Sequence, residues 1–208
     1  MSFFTFSSCV KEYKRDSSYY CQKLLIDCSK DVNSITFITT KGKIEVTLFK
    51  DSNPVTVGNF LKNIEKGIYN NKSFYKIINF PNNKVIRSGA YSSNELQRKL
   101  NLERQNIDRT IPLEISIKNS NEPIYNSQIN DPIKLKELRF QFEKGSLVME
   151  KIDHKSSSST EFFFLANKSS AFDGRYSIFG KVVKGFDTLN RIEKGDLIIK
   201  INPKNLNF

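Results

Sequence analysis

The sequence has few of the residues that bind transition metals. It contains one histidine, His154, and three cysteines, Cys9, Cys21 and Cys28, none of which forms a CxxC pair. Zinc sites draw on cysteines and histidines at short, regular spacings. We therefore expect no metal site and no other cofactor.

Long apolar runs and blocks of like charge are also missing. No stretch approaches the ~20 apolar residues of a membrane-spanning helix. The net charge of +11 would attract anionic partners over a long range. However, the basic residues are spread along the chain, without zinc-finger spacing or an aromatic-basic RNA-binding pattern. We therefore expect no nucleic acid among the partners. A further possible function, a basic adaptor that binds acidic or membrane surfaces, is supported by the net charge alone.

Residues 1–30 differ from the rest and are interpreted as an N-terminal tail. "FSSC", ending at Cys9, resembles the end of a bacterial lipoprotein signal, in which the cysteine is acylated. The apolar stretch before it is short and no basic residues precede it. Membrane attachment through Cys9 and a chance match both stay open. Cys21 and Cys28 could form a disulfide in an oxidising compartment or remain thiols.

From Ile35 onward the pattern is typical of a mainly β protein. Alternating runs around Lys41-Gly42 predict a β-hairpin, and further strands follow to the end of the chain. Helices are predicted near Pro54–Lys66, with Asn53 as the cap, and near Phe186–Ile192. Strands, two helices and glycine turns together favour a closed barrel whose ends the helices cover.

One predicted strand contains three consecutive phenylalanines, Phe162, Phe163 and Phe164. Successive side chains of a strand point to opposite faces, so Phe163 faces away from its two neighbours. A strand with one solvated face would carry a polar residue at the middle position. Either all three rings belong to the core, or the face that carries Phe163 has an apolar role of its own.

The motifs "PVTVGNFL", "SSTEFFFLA" and "DGRYSIFGKVVKG", in this order, resemble the cyclophilins, a family of peptidyl-prolyl cis-trans isomerases. The resemblance runs from about Ile35 to the end and is strongest to the cyanobacterial and thylakoid-lumen subgroup. It implies an eight-stranded antiparallel barrel capped by two helices, in a domain of residues 31–208. It also implies a monomer that binds proline-containing polypeptides.

The resemblance assigns a peptide groove to the outer face of the barrel. Phe163 would be the floor that receives the proline ring, and Val85 and Phe172 would keep the apolar character of the groove. Lys84 would replace a phenylalanine of the pocket wall. Tyr176 would pack on proline and bond a carbonyl, and Glu161 would pair with a groove cation.

Prolyl isomerisation is rotation about the peptide bond that precedes a proline, and its catalysis requires no nucleophile. The enzyme holds the ring and donates to the proline nitrogen, which regains its lone pair in the twisted state. The family's usual arginine is replaced by Lys76 in "FYK", and Arg87 stands where the family has glutamine. Lys76 and Arg87 are therefore the candidate catalytic residues.

Two functions follow from this resemblance. The first is an isomerase that assists protein folding, and the alternative is a proline-peptide binding module with weak or no catalysis. The periplasm or the thylakoid lumen is the expected location, with the cytoplasm as the alternative.

Overall fold

A computed structural model of the chain describes residues 15–81, 83–90 and 110–204. Two expectations fall outside these ranges: acylation of Cys9, and an extended surface loop from Ser92 to Arg109. Within the described ranges, no helix combines the length and apolar composition needed to cross a membrane.

A curled antiparallel sheet dominates the structure and confirms the mainly β prediction. Its strand order is β3-β12-β1-β2-β11-β9-β10-β5-β4, and the short β6 pairs with β10. A separate pair, β7 with β8, lies outside it. The strands are β1 Ser34–Thr39, β2 Gly42–Leu48, β3 Lys72–Ser73, β4 Lys76–Phe80, β5 Asn83–Ser88, β6 Thr110–Pro112, β7 Glu114–Ile115, β8 Ile124–Tyr125, β9 Ser146–Lys151, β10 Ser156–Leu165, β11 Ile178–Lys184 and β12 Leu197–Lys204.

The two ends of this sheet are consecutive pieces of chain. Only Phe74 and Tyr75 separate β3 from β4. The ten strands of the sheet reduce to eight when β6 is set aside and β3 and β4 count as one bent strand. This count agrees with the predicted eight-stranded barrel.

Both predicted helices are present, and two short ones were not predicted. The helices are α1 Ser17–Lys23, α2 Pro54–Glu65, α3 Pro132–Lys136 and α4 Phe186–Arg191, with a 3-10 turn at Ser170–Phe172. Helix α2 buries Val57, Phe60 and Leu61 in the barrel. These side chains recur every three or four residues and therefore share one face of the helix.

The barrel interior is packed mainly by phenylalanine rings. Phe162 and Phe164 are fully buried there, with ring centroids 5.9 Å apart. Phe60 meets Phe162 edge to face at 5.4 Å. Ile178, on β11, does not join this core and packs in a second cluster with Phe163. The physical reason is strand alternation, since its neighbour Phe179 occupies the interior face.

The predicted cap of α2 is wrong in its chemistry. Asn53 occupies the N-cap position, but its side chain makes no capping hydrogen bond. Instead, the buried Glu114 carboxylate accepts from the backbone N–H groups of Val55 at 3.2 Å and Thr56 at 2.8 Å. The Tyr125 hydroxyl also donates to it, at 2.9 Å. Burial nevertheless raises the pKa of Glu114 to about 7.

The segment before Asp31 packs more closely than expected. Tyr20 and Ile26 are buried and form a small cluster with Val55 at the start of α2. A disulfide joins Cys21 to Cys28 in this segment. Apolar side chains therefore hold the described part of this segment against the start of α2. The domain boundary at residue 31 stays a prediction.

Candidate active site

One row of side chains runs across five neighbouring strands on the outer face of the sheet. Lys76 pairs with Arg87, Arg87 with Phe163, Phe163 with Val148, and Val148 with Ile178. Directly opposite residues of antiparallel strands point to the same face. The row therefore passes from two cations at one end to an apolar surface at the other.

Phe163 belongs to an apolar cluster that is separate from the barrel interior. Its buried members are Val85, Phe142, Val148, Phe163, Leu165 and Ile178. The ring of Phe163 meets that of Tyr176 edge to face at 5.6 Å. Phe172 lies 5.8 Å from Tyr176, also edge to face. The structure thus brings together Val85, Phe163, Phe172 and Tyr176, the apolar and aromatic residues that the sequence suggested for the groove.

The cluster is open on the side of Phe172 and Tyr176. Phe163 itself is only 3% exposed, whereas Phe172 and Tyr176 are half-buried. The Lys151 ammonium lies over the Tyr176 ring at 5.2 Å from its centroid, a cation–π contact. Phe172 and Tyr176 therefore give the cluster accessible aromatic surface.

Phe142 is a member of this cluster that the sequence did not single out. It is fully buried, with its ring 6.4 Å from that of Phe163 and 5.9 Å from that of Tyr176. It lies in irregular chain before β9, where no strand periodicity identifies the face of a side chain. Its aromatic character was the only indication available.

Arg87 forms an ion pair beside the Phe163 floor. Its Nε lies 3.1 Å from Oε2 of Glu150, and the two side chains are 26% and 18% exposed. The Arg87 Nε–H group and the Glu150 carboxylate do not meet the geometric criteria of a hydrogen bond, so the contact is mainly electrostatic. Burial raises the pKa of Glu150, while the positive charges of Arg87 and Lys76 oppose this rise.

Glu161 is held by the chain around it. Its carboxylate accepts a hydrogen bond from the Ser158 hydroxyl, and its own backbone N–H donates to that hydroxyl at 3.0 Å. The carboxylate that lies 3.1 Å from Arg87 is that of Glu150. Lys76 is exposed on β4, one strand further from Phe163 than Arg87.

Lys84 does not form a wall of the pocket. Its ammonium donates to the backbone carbonyls of Asn190 at 2.9 Å and Ile192 at 2.7 Å, at the end of α4. Cations are favourable at helix C-termini, where carbonyl groups lack partners. The expectation for Lys84 is therefore wrong, because alternation along β5 turns it away from the face of Val85.

Comparison with known proteins agrees with this geometry. The family model for cyclophilin type peptidyl-prolyl cis-trans isomerases matches residues 34–205. The chain therefore belongs to this family, as its motifs predicted.

Similar proteins with assigned names are named as peptidyl-prolyl cis-trans isomerases. A Synechocystis protein named as a thylakoid lumen peptidyl-prolyl cis-trans isomerase is 28% identical over 177 residues, 80% of this chain and 45% of that protein. This chain thus spans about half the length of that relative. The Escherichia coli peptidyl-prolyl cis-trans isomerase B is 29% identical over 167 residues, 76% of this chain and 83% of that protein.

Solved structures share the fold. A cyclophilin type isomerase from Cryptosporidium parvum superposes with a TM-score of 0.55 at 21% identity, covering 83% of this chain and 98% of that one. A second structure of that protein, described as in the presence of the dipeptide Ala-Pro, gives a TM-score of 0.54 at 21% identity over 82% of this chain and 98% of that one.

Proposed function

We propose that this chain catalyses the cis-trans isomerisation of X–Pro bonds in polypeptides and thereby assists protein folding. The observation that carries this proposal is the position of Arg87 directly opposite Phe163. A cationic donor then lies beside an apolar floor. These are the two components that rotation about a prolyl bond requires.

The apolar cluster holds the proline ring. Transfer of apolar surface from water drives the ring onto Phe172, Tyr176 and the edge of Phe163. Aromatic rings offer large contact areas and have few rotatable bonds to fix on binding. The ring stays bound while the preceding carbonyl rotates.

Arg87 supplies the interaction that lowers the barrier. In the planar ground state, amide resonance occupies the lone pair of the proline nitrogen; in the twisted state the lone pair is available to accept. A guanidinium N–H therefore binds the twisted state more strongly than the planar state, and this difference accelerates the reaction. Lys76 adds a second positive charge from β4 but lacks the planar fork of donors.

Two polar groove residues position the substrate in this proposal. The Tyr176 hydroxyl donates to a substrate carbonyl. The Glu161 carboxylate, fixed by Ser158, defines the polar end of the groove together with Arg87. Val85 and Phe172 complete the apolar wall.

The Cys21–Cys28 disulfide favours a location in an oxidising compartment. The proposed location is therefore the periplasm or the thylakoid lumen. Attachment to a membrane through an acylated Cys9 belongs to the same proposal, as does action as a monomer.

A coupled assay of prolyl isomerisation on a short Ala-Pro peptide tests the function. Catalytic amounts of protein are expected to accelerate the slow exchange, which takes tens to hundreds of seconds without an enzyme. Peptide binding without any acceleration would replace this proposal by the alternative, a binding module that lacks catalysis.

A further inference from the structure

Glu150 is an acidic residue of the groove that the sequence analysis did not select. It follows Val148 by two positions on β9, and residues two apart on a strand point to the same face. Val148 lies directly opposite Phe163. Glu150 therefore shares the face that carries the apolar floor and Arg87.

Glu150 interacts with each of the polar groove residues named above. Arg87 on β5 and Lys76 on β4 attract its carboxylate, and Glu161 on β10 repels it. Burial raises the pKa of Tyr176, and the charge of Glu150 raises it further. The next residue, Lys151, contacts the Tyr176 ring. A single carboxylate thus lies at the centre of the charged end of the groove.

In the ion pair, the Glu150 carboxylate contacts the Arg87 guanidinium at Nε, the nitrogen nearest the aliphatic part of the side chain. A guanidinium carries further donors on its two terminal nitrogens, Nη1 and Nη2. Electrostatic attraction at Nε holds the guanidinium near Glu150 without occupying those terminal donors itself. A flexible side chain that is fixed before the substrate binds loses less entropy in the catalytic step.

We infer that Glu150 is a positioning residue that holds Arg87 by its Nε beside Phe163, so that the terminal N–H groups of Arg87 serve the twisted prolyl bond. This inference rests on the proposed isomerase function. It adds a residue that does not touch the substrate and acts through Arg87 alone.

Glu150→Gln tests the inference because it keeps the size of the side chain and removes its charge. The expected result is a loss of about tenfold in kcat, with KM for an Ala-Pro peptide changed less than about twofold, because misplaced catalytic groups slow the reaction without weakening the apolar contacts. Glu65→Gln is the matched control. It makes the same change of net charge on an exposed carboxylate paired with Lys30 and is expected to leave kcat unchanged.

The pH profile separates positioning from a structural role. Protonation of Glu150 breaks the ion pair, so kcat of the wild type falls as the pH is lowered through a window above the ordinary range of glutamic acid. Glu150→Gln is expected to give a low, flat profile across this window. The charged and titratable groups that face Glu150, namely Arg87, Lys76, Glu161 and Tyr176, are present in both proteins. Glu150→Asp, which keeps the charge, is expected to restore part of the rate and the pH dependence.

Three results would overturn the inference. The first is a Glu150→Gln variant with the kcat and pH profile of the wild type. The second is a faster variant, which would make Glu150 a brake on Arg87. The third is an Arg87 Nε–H resonance that does not shift in NMR spectra of Glu150→Gln, which would disprove the pairing itself. The resonance needs no turnover, so it distinguishes failure of this inference from failure of the proposed function.

Discussion

Arg87 lies directly opposite Phe163 in the antiparallel pairing of β5 with β10. Side chains that face each other in this way have Cβ atoms roughly 5 Å apart. One residue of an extended peptide spans about 3.3 Å. In the proposed mechanism, a proline ring packed beside Phe163 therefore has its nitrogen within reach of the Arg87 guanidinium, although Lys76 stands at the family's usual arginine position.

Truncation of the Phe163 side chain should strongly weaken peptide binding. Phe163→Ala is expected to lose most of its affinity for an Ala-Pro peptide in calorimetric titration. Because Phe163 is buried, it should also lose about 3–5 kcal/mol of unfolding free energy, so the titration is made at a temperature where the variant remains folded. Phe80→Ala, on β4 and 47% exposed, is the matched control and should change neither quantity greatly. Equal affinity of both variants for the peptide would exclude Phe163 as the floor.

The two cations should contribute unequally to the rate. Arg87→Ala is expected to lower kcat by ~100-fold with little change in peptide affinity, since its contact strengthens only in the twisted state. Lys76→Ala should lower kcat less, because Lys76 lies one strand further from Phe163. Single-turnover and steady-state measurements on both variants check this order. A larger loss of kcat for Lys76→Ala than for Arg87→Ala would show that the catalytic residue is Lys76, at the family's usual arginine position.

Strand periodicity and the family resemblance together predicted the two faces of β10. Three consecutive phenylalanines place rings on both faces of one strand, and both faces are apolar in the structure. Phe162 and Phe164 lie in the barrel, and Phe163 lies in the second cluster. The same alternation places Ile178 outside and Phe179 inside.

The disulfide should stabilise the N-terminal segment against α2. Cys21 and Cys28 are separated by seven residues, and closing so short a loop contributes about 2–3 kcal/mol in the chain-entropy account. A reducing agent is therefore expected to lower the melting temperature of the wild type. Cys21→Ser should melt at that lower temperature with or without reductant. An unchanged melting temperature of the wild type after complete reduction of the disulfide would contradict this account.

Glu114 should make stability depend on pH near neutrality. Burial raises its folded-state pKa to about 7, above the usual value of 4.5. Between these values the folded state binds the proton more tightly than the unfolded state, so stability falls as the pH rises. The expected loss is about 3 kcal/mol across this window. Denaturant unfolding at pH 5 to 8 should show this decrease in stability for the wild type and a smaller decrease for Glu114→Gln. Glu150 and Asp173, whose pKa values are also raised, are present in both proteins. Parallel slopes would exclude Glu114 as the source.

The polar contacts were harder to predict because they join distant parts of the chain. The carboxylate that caps α2 comes from Glu114, which is 58 residues from Thr56 in sequence. Lys84 reaches the carbonyl of Ile192 across 108 residues. The carboxylate 3.1 Å from Arg87 comes from Glu150, on a strand that β10 separates from β5 in the sheet. Such contacts depend on how distant strands are aligned in the barrel, and the local pattern of charges in the sequence does not predict this alignment.

Exchange between the cis and trans resonances of an Ala-Pro peptide, followed by NMR with catalytic amounts of protein, tests the central claim most directly. The wild type is expected to accelerate the exchange well beyond the uncatalysed rate. Arg87→Ala is expected to bind the peptide, as shown by shifts of its resonances, but to accelerate the exchange far less. A wild type that shifts the peptide resonances without accelerating their exchange would contradict the claim that this groove is catalytic.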